Sequence, residues 1–366
     1  MLTRRRFLRS TAAGLAAGAW PGAGGADDRP VTRIAFGSCC RQRKDQAIWR
    51  AMAAAEPDLF LFLGDTVYAD AAVVRQRGPI DALRQAYQTL AGQGLFARFR
   101  DDTPMLATWD DHDYGQRDGG GDFAHKEAAR QLFLDFWQVG ADDPRRHQPD
   151  GLYGAWEIGP AERRIQILLL DTRFRRDRLL MRPDGNREAA LKEGFGPYLP
   201  NPDPDARLLG ADQWAWLEEE LRRPARLRLI GSSIQFAAGY RGWESWENFP
   251  REKARLIALI ARTHAAGVLF VSGDIHYGEL SRETRQAAYP LWDLTSSGLT
   301  HFWPTPGPNA NRVEPETGTE TVHRRNFGLL DVAWEGGQAR VGLEIRDHAG
   351  GRRLWHTVAL DRLRAD

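Results

Sequence analysis

The chain has 366 residues, is 42% hydrophobic, contains 13 tryptophans and carries a formal net charge of +1. This composition is typical of a soluble protein with a well-packed core, and the length allows one large domain or two. The near-neutral charge argues against binding of long nucleic acids, because proteins that bind the phosphate backbone usually carry a basic surplus, but it leaves room for a small phosphorylated ligand.

The first residues have the layout of an export signal. The chain begins with MLTRRRFL, continues with a weakly apolar run rich in alanine and glycine, and reaches small residues before Asp27. Paired arginines followed by Phe-Leu resemble a twin-arginine signal, and the apolar run is too short to span a bilayer stably. We expect a signal over residues 1–26, a single mature domain over 27–366, and a periplasmic or extracellular location. A disordered basic tail is the alternative.

Six short apolar runs, each ending in a polar cluster, predict the central strands of an α/β sheet. In chain order they read RIAFGSCC, DLFLFLGD, PMLATWDD, RIQILLLD, RLRLIGSS and VLFVSGD. Their polar ends are expected to gather along one edge, where open α/β sheets place their ligand sites.

Two segments between the later strands predict amphipathic helices. Apolar residues recur at spacings of three and four in residues 210–223 and 250–264, the pattern of one buried helix face. Pro250 suits the start of the second helix, and Gly267 suits its end.

The tail changes to a strand-like pattern. Three runs between residues 327 and 360 are separated by Gly336-Gly337 and Gly350-Gly351, and apolar residues alternate in the middle run. This pattern predicts an antiparallel meander with one buried face.

Two loops stand out between these elements. Residues 182–210 are rich in proline, glycine and charge, which indicates a surface excursion. Residues 239–250 carry Trp243, Trp246 and Phe249, which would line a mouth for an apolar leaving group or pack the loop onto its own core.

Polar residues at the ends of the predicted strands form a set typical of metal ligands. Carboxylates crowded at one edge would repel each other, so the set predicts bound cations, and two ions would clamp both oxygens of a phosphoryl displacement. In an extended chain Asp274 and His276 share one face; a helix N-cap followed by a surface histidine is the alternative. The set comprises Cys39, Asp65, Tyr68, Asp110, Asp111, His112, Asp113, Ser232, Ser233, Gln235, Asp274 and His276.

Five motifs occur in order: FGSCC, FLGDTVYAD, TWDDHDYG, LLLDTRFR and SGDIHYGE. Together they span residues 34 to 279, and the series resembles the alkaline phosphatase D (PhoD-like) branch of the calcineurin-like metallophosphoesterases. The resemblance implies a two-sheet α/β sandwich with mixed central strands and a C-terminal antiparallel meander. It also implies hydrolysis of phosphate monoesters, diesters or both by metal-activated hydroxide.

The same resemblance implies a set of site residues. A thiolate and a phenolate favour Fe³⁺, and Ca²⁺ is the implied partner ion, with other divalent metals left open. His112 would protonate the leaving oxygen or hydrogen-bond a phosphoryl oxygen, and Arg41 or Arg43 would hold the phosphate. The implied metal ligands are Cys39, Asp65, Tyr68, Asp111, Asp274 and His276.

Several assignments stay open. The adjacent Cys39-Cys40 pair cannot staple distant loops, which suggests that one thiol is a ligand. The GSC pattern favours Cys39, and Cys40 is the alternative. Asp110 is either a ligand or a residue that orients His112.

Other residues of the motifs are expected outside the main ligand set or have alternative roles. Asp171 is either a family hallmark or a loop brace with Arg173, and Gln235 would approach the second metal through its amide oxygen. Structural roles are expected for Asp70, Asp113 and His301.

Two other functions compete with the metal-dependent phosphatase. One is a phospholipase D-like or nuclease-like phosphodiesterase, and the other is a non-catalytic protein that binds metal or phosphate. All expected motifs are present, which favours the enzyme. We expect a small phosphate ester as substrate, nucleic acid only as a short substrate, and no stable membrane span after signal cleavage.

Overall fold

Two seven-stranded β-sheets lie against each other in the computed structural model, which describes residues 31–69, 71–334 and 339–365. The expected export signal, Asp70 and the expected turn at Gly336-Gly337 fall outside those residues. The strands are β1 (Arg33–Gly37), β2 (Leu59–Leu63), β3 (Met105–Thr108), β4 (Gly154–Ile158), β5 (Ile165–Leu169), β6 (Leu180–Met181), β7 (Tyr198–Leu199), β8 (Leu227–Ser232), β9 (Val268–Ser272), β10 (Gly278–Glu283), β11 (Leu291–Ser296), β12 (Thr317–Gly318), β13 (Thr321–Val322), β14 (Asn326–Ala333), β15 (Arg340–Asp347) and β16 (Arg352–Ala359).

Helices fill the connections between the strands. They are α1 (Ile48–Ala54), α2 (Ala71–Arg77), α3 (Pro79–Ala91), α4 (Gly94–Asp102), α5 (Asp111–Tyr114), α6 (Lys126–Phe136), α7 (Asp184–Lys192), α8 (Ala211–Leu221) and α9 (Pro250–Arg262). Among these described helices, none is both long enough and apolar enough to cross a bilayer.

Both sheets have a parallel centre. The strand order is β12-β16-β15-β14-β1-β2-β3 in the first sheet and β13-β10-β11-β9-β8-β5-β4 in the second. Strands β1, β2 and β3 are parallel, and so are β5, β8, β9 and β11. The remaining neighbours are antiparallel, and β6 pairs with β7 in a small separate sheet.

Strand β2 shows why the sheets pack as they do. It reads LFLFL and is buried on both faces. Leu59, Leu61 and Leu63 join the apolar cluster between the two sheets, whereas Phe60 and Phe62 join the cluster under the helices. Because side chains alternate along a strand, one short sequence faces both apolar layers, and each buried leucine contributes about 2 kcal/mol.

All six predicted strands are present, as β1, β2, β3, β5, β8 and β9. They do not share one sheet edge, because three belong to each sheet. The ends of β1, β2 and β9 nevertheless meet: a Cβ on Gly273 would lie 2.4 Å from Ser38 Oγ and 3.0 Å from Leu63 O. Glycine at this position allows the two sheets to approach closely, and the polar strand ends converge there.

The two predicted helices occur as α8 and α9, and Pro250 lies in the first turn of α9. The sequence had suggested that Gly267 ends α9, but this prediction is wrong. The helix ends at Arg262, and His264 takes a left-handed backbone conformation with φ of 52°. Gly267 instead forms the turn into β9, where its N–H donates to Leu363 O at 2.6 Å.

The predicted meander is confirmed by β14, β15 and β16, which pair in sequence with antiparallel register. Val341, Leu343 and Ile345 face the apolar cluster between the sheets. Gly342 lies on the other face, where a Cβ would come within 2.3 Å of the Trp355 ring. Residues 182–210 form a surface excursion that contains α7 and β7.

Candidate metal centre

Cys39 is buried in the turn that follows β1. Its Sγ lies 3.4 Å from Asp65 Oδ2 and 3.0 Å from Ser297 Oγ. Cys40 turns the other way, into the core, where its Sγ lies 3.5 Å from Gln46 Oε1. Of the two thiols, Cys39 is therefore the one that faces the carboxylates.

The turn after β2 presents Asp65 and Tyr68 to the same space. Asp65 Oδ2 accepts a hydrogen bond from the Tyr68 hydroxyl at 2.6 Å. Asp113 braces the turn by accepting from the backbone N–H groups of Asp65 and Thr66, which agrees with a structural role. Gly64 is required here, because its φ is +92° and a Cβ would lie 2.3 Å from Asp110 Cβ.

The turn after β3 brings two acidic residues and a histidine to the cluster. Asp110 Oδ1 accepts from Ser233 Oγ at 2.6 Å and from the Arg173 guanidinium at 2.5 and 2.7 Å. Asp111 Oδ2 accepts from the backbone N–H of Asp118 at 2.8 Å. The His112 ring lies 4.0 Å from the Tyr68 ring, centroid to centroid, and its side chain is 28% exposed.

Asp274 and His276 reach the cluster in a different way from the one expected. Strand β9 ends at Ser272, and both residues have positive φ, 68° for Asp274 and 65° for His276. They therefore do not share a face of an extended chain, and they do not begin a helix. Ser297 Oγ accepts from the backbone N–H of His276 at 2.8 Å, which fixes the turn.

Left-handed backbone conformations are concentrated at this site. Among the described residues other than glycine, Cys39, Asp65, Asp274 and His276 all have φ between 53° and 68°. Such conformations cost about 1 kcal/mol or more each, and they persist where the surrounding structure requires them, often at functional sites.

The donor atoms form four overlapping groups in the described part of the chain, and all atoms of a group lie within 4.8 Å of one another. Asp65 belongs to two of these groups and Asp111 to three, so each is placed to bridge neighbouring positions. The groups are Cys39 with Asp65 and His276, Asp65 with Asp111 and His112, Asp110 with Asp111 and Asp274, and Asp111 with Asp118 and Glu244.

Most of these acids are held in an environment that disfavours their charged form. Burial, together with the charge of Asp111, raises the pKa of the Asp65 carboxyl well above its usual value. Burial and the neighbouring Asp110 likewise raise the pKa of Asp274. Burial, with a contribution from Asp65, raises the pKa of the Cys39 thiol. The cluster lacks enough positive charge for all of its anions.

Asp111 is the exception. Burial works against its ionisation, but His112, Arg173 and the backbone N–H of Asp118 together lower its pKa to about 2. One carboxylate of the cluster is therefore already stabilised by protein groups.

The donor set fits metal ions. Asp110 Oδ2 is buried and has no hydrogen-bond partner among the described residues, and Asp110 is a member of the group made with Asp111 and Asp274. A thiol, a phenol, carboxylates and imidazoles together suit a transition metal, whereas the three-carboxylate group suits a hard cation. Metal ions would supply the positive charge that the raised pKa values indicate is missing.

The structure reveals a buried ion-pair network beside this cluster that the sequence did not. Arg173 also donates to Glu244, at 2.8 and 2.9 Å, and both side chains are buried. Asp171 braces the loop by accepting from the backbone N–H of Arg173, while the Arg173 side chain serves Asp110 instead. Glu244 carries no motif, so only its position in the fold indicates a role.

Other sequence candidates lie nearby or elsewhere. The Arg41 guanidinium lies 4.9 Å above the Tyr68 ring, whereas Arg43 is exposed on the same loop. His301 lies 4.2 Å from the His276 ring. The Gln235 amide N–H donates to Glu279 and Thr295, and the expected approach of its amide oxygen to a metal stays a prediction.

The tryptophan-rich loop mostly packs inward. Trp246 and Phe249 are buried in the core between the sheets, as the packing alternative expected. Only Trp243 of the three is partly exposed.

Comparisons with known proteins identify the family and the fold. The family model for PhoD-like phosphatase matches residues 34–337. The solved structure of PhoD is 18% identical with a TM-score of 0.66, and the match covers 94% of this chain and 72% of that one. This likeness shows a shared two-sheet fold.

More distant structures are similar over most of the chain. GAP50, the anchor in the inner membrane complex of Plasmodium, is 11% identical with a TM-score of 0.47, covering 91% of this chain and 90% of that one. A 5'-nucleotidase precursor from Thermus thermophilus is 14% identical with a TM-score of 0.36, covering 92% and 56%. No curated protein matches the chain.

Proposed function

Because the chain belongs to the PhoD-like phosphatase family and is therefore a phosphoester hydrolase, we propose that it is exported and hydrolyses small phosphate monoesters, diesters or both. The observation that carries the proposal is the group of thiol, carboxylate and imidazole donors whose atoms lie within 4.8 Å of one another, with the Tyr68 hydroxyl bonded to Asp65. The MLTRRRFL start of the sequence supports export.

The proposed metals are Fe³⁺ and Ca²⁺. The group with the thiol and the phenol, which contains Cys39, Asp65, Tyr68 and His276, would hold the iron. Asp111 and Asp274, with Asp65 shared between the two ions, would hold the calcium. When bound, such ions supply Lewis acidity that offsets the charge developing on the phosphoryl oxygens.

The protein's own groups would bind and orient the ester. Arg41 has a buried Nε without a hydrogen-bond partner in the described part of the chain, and its guanidinium would donate to a phosphoryl oxygen. His112 is partly exposed, and its Nε2 lies 4.0 Å from Asp111 Oδ1. This imidazole would donate its proton to the leaving oxygen.

The test is hydrolysis of a chromogenic phosphate monoester and the matching diester by the exported protein, supplied with iron and calcium. We expect Asp65→Asn to lower kcat/KM by about a thousandfold, equivalent to about 4 kcal/mol of transition-state stabilisation. Asp331→Asn is the matched control, since it makes the same change in a carboxylate that pairs with Arg33 instead. Equal activity of the two variants would contradict the proposed site.

Metal content and export are tested separately. Elemental analysis of the exported protein should find iron and calcium, and zinc alone would contradict the proposed metals. Replacing Arg4 and Arg5 together by lysine should retain the protein in the cytoplasm.

The ratio of monoester to diester hydrolysis then decides between a phosphatase and a phosphodiesterase.

A further inference from the structure

An exposed aromatic pair lies beside the candidate metal centre. Phe302 is 41% exposed and Trp303 is 45% exposed, although both are large apolar residues. The Trp303 ring stacks against the His276 ring, with centroids 5.9 Å apart and an angle of 13° between planes. One face of the indole is thus set against a residue of the metal centre while much of its surface meets solvent.

Hydrogen bonds fix the main chain at Trp303, and stacking on the His276 ring orients the exposed indole. The N–H of Trp303 donates to His276 O at 2.7 Å. The carbonyl of Trp303 lies 3.2 Å from His323 Nδ1, which donates to it in the matching tautomer. An aromatic side chain that is both exposed and positioned in this way loses little conformational freedom when a ligand stacks on it.

A second indole completes a corner. The Trp243 ring lies 6.1 Å from the Trp303 ring at an angle of 54°. Its Nε1 donates to Gly194 O at 3.3 Å, which ties it to the surface excursion. The two rings therefore present two differently inclined aromatic surfaces at the rim of the site.

We propose that Trp303 and Trp243 form a subsite for the planar aromatic part of the leaving group of the phosphate ester, an aryl group or the base of a nucleoside. This inference rests on the proposed function and extends it to a substrate class. The metal centre and Arg41 would hold the phosphate, and the leaving group would extend over the rim. Aromatic rings favour offset or edge-to-face contacts with indoles, and such contacts are individually modest but selective against small alkyl groups.

The first experiment measures binding without catalysis. Calorimetry with the metal-loaded protein compares naphthylmethylphosphonate with methylphosphonate, neither of which can be hydrolysed at its P–C bond. We expect naphthylmethylphosphonate to bind about tenfold more tightly, a factor within the range of one or two aromatic contacts. In Trp303→Ala this preference should fall to about twofold, while binding of methylphosphonate stays unchanged.

Two further variants guard against a structural artefact. Trp303→Leu keeps apolar cover over His276 without a stacking surface, and its metal content should equal that of the parent. Trp216→Ala removes a partly exposed indole on α8 that packs on Tyr153 instead, and it should keep the full preference. Equal loss of both phosphonates in Trp303→Leu, or no preference in the parent protein, would overturn the inference.

The second experiment separates this inference from the proposed function. For naphthyl phosphate, Trp303→Ala should raise KM about fivefold with little change in kcat, as expected for a contact made equally in ground and transition states. If no ester is hydrolysed but the phosphonate preference is present, the proposed function fails and the subsite stands. The inference would be overturned if the protein bound phospholipid vesicles through Trp303 while Trp303→Ala bound both phosphonates as the parent protein does. The rim would then be assigned to a lipid surface.

A third experiment uses the same variants to distinguish a nucleobase from a simple aryl group. Hydrolysis of a nucleoside monophosphate and of ribose 5-phosphate compares esters that differ in the presence of the base. A preference for the nucleotide that is lost in Trp303→Ala would assign the subsite to nucleobases. A preference confined to naphthyl phosphate would assign it to simple aryl groups.

Discussion

The carboxylates that follow β2, β3 and β9 crowd against one another, whereas Glu279 and Glu283 on β10 lie against cationic side chains. Glu279 accepts from Arg241 at 2.5 Å and from Arg312 at 2.8 Å. Although burial works against its ionisation, these arginines lower the pKa of Glu279 to about 2. In the metal centre, burial and neighbouring acids have the opposite effect on Asp65.

The difference separates a structural cluster from a functional one. Around Glu279 the protein supplies its own positive charge, so the network is complete. Around Asp65 the proposed ions would supply the positive charge, and they would be available to a substrate. Carboxylates that the protein leaves without cations therefore mark the candidate active site more clearly than burial alone.

Among the tests of this comparison, removal of the metals should cause the largest change in activity and stability. Chelation should abolish hydrolysis and lower the free energy of unfolding by about 4 kcal/mol if the ions are present at a thousandfold excess over their dissociation constants. Urea unfolding with and without chelator measures this. Asp65→Asn should lose much less on chelation, since it binds the ions weakly and has one less repelling charge. An unchanged unfolding midpoint in the parent protein would show that the carboxylates need no cations.

The ion-pair cluster around Glu279 can be tested by removing one of its arginines. Arg241→Met leaves the buried Glu279 with one arginine fewer, and we expect unfolding to become easier by about 3 kcal/mol. The activity of the remaining folded protein should change little. Arg222→Met is the control, because Arg222 is 58% exposed and pairs with Glu218 on the surface of α8, where such a pair contributes about 0.5 kcal/mol. Similar losses in both variants would contradict the comparison.

The pH dependence of the free energy of unfolding tests whether ionised Glu279 stabilises the protein. The folded pKa of Glu279, about 2, is below its usual value of 4.5, so its ionic contribution is complete above pH 4.5 and is lost as the pH falls towards 2. Glu279→Gln does not titrate there. The stability advantage of the parent protein over this variant should thus shrink by about 3 kcal/mol between pH 4.5 and pH 2. Urea unfolding at several pH values measures it, and a constant difference would contradict the assignment.

A smaller effect on activity is expected from Arg173, which joins an acid of the candidate metal centre to a buried ion pair. Arg173 binds Asp110 and Glu244 through several N–H groups of its guanidinium. Arg173→Lys keeps the charge but loses this geometry, so Asp110 would be held less firmly. We expect metal affinity to fall about tenfold, with kcat recovering at saturating metal. A loss of kcat that added metal does not restore would show that Arg173 acts in another way.

The sequence by itself determined the local elements and the set of chemical groups. The continuous apolar run LFLFL and the apolar spacing in α9 involve only neighbouring residues, so local patterns were enough to predict a strand and a helix. The five motifs gave the fold and the family, and the structure brings Cys39, Asp65 and His276 together, although their roles as ligands stay predictions.

Only the tertiary structure decided how those groups meet. The division of six strands between two sheets depends on pairings between distant residues, which no local pattern contains. The left-handed turns at Asp274 and His276 are stabilised by contacts such as that with Ser297, far away in the chain. Glu244 and Trp303 have no motif of their own. Their positions beside the metal centre follow from the packing of loops, because side chains distant in sequence become neighbours only after the sheets have formed.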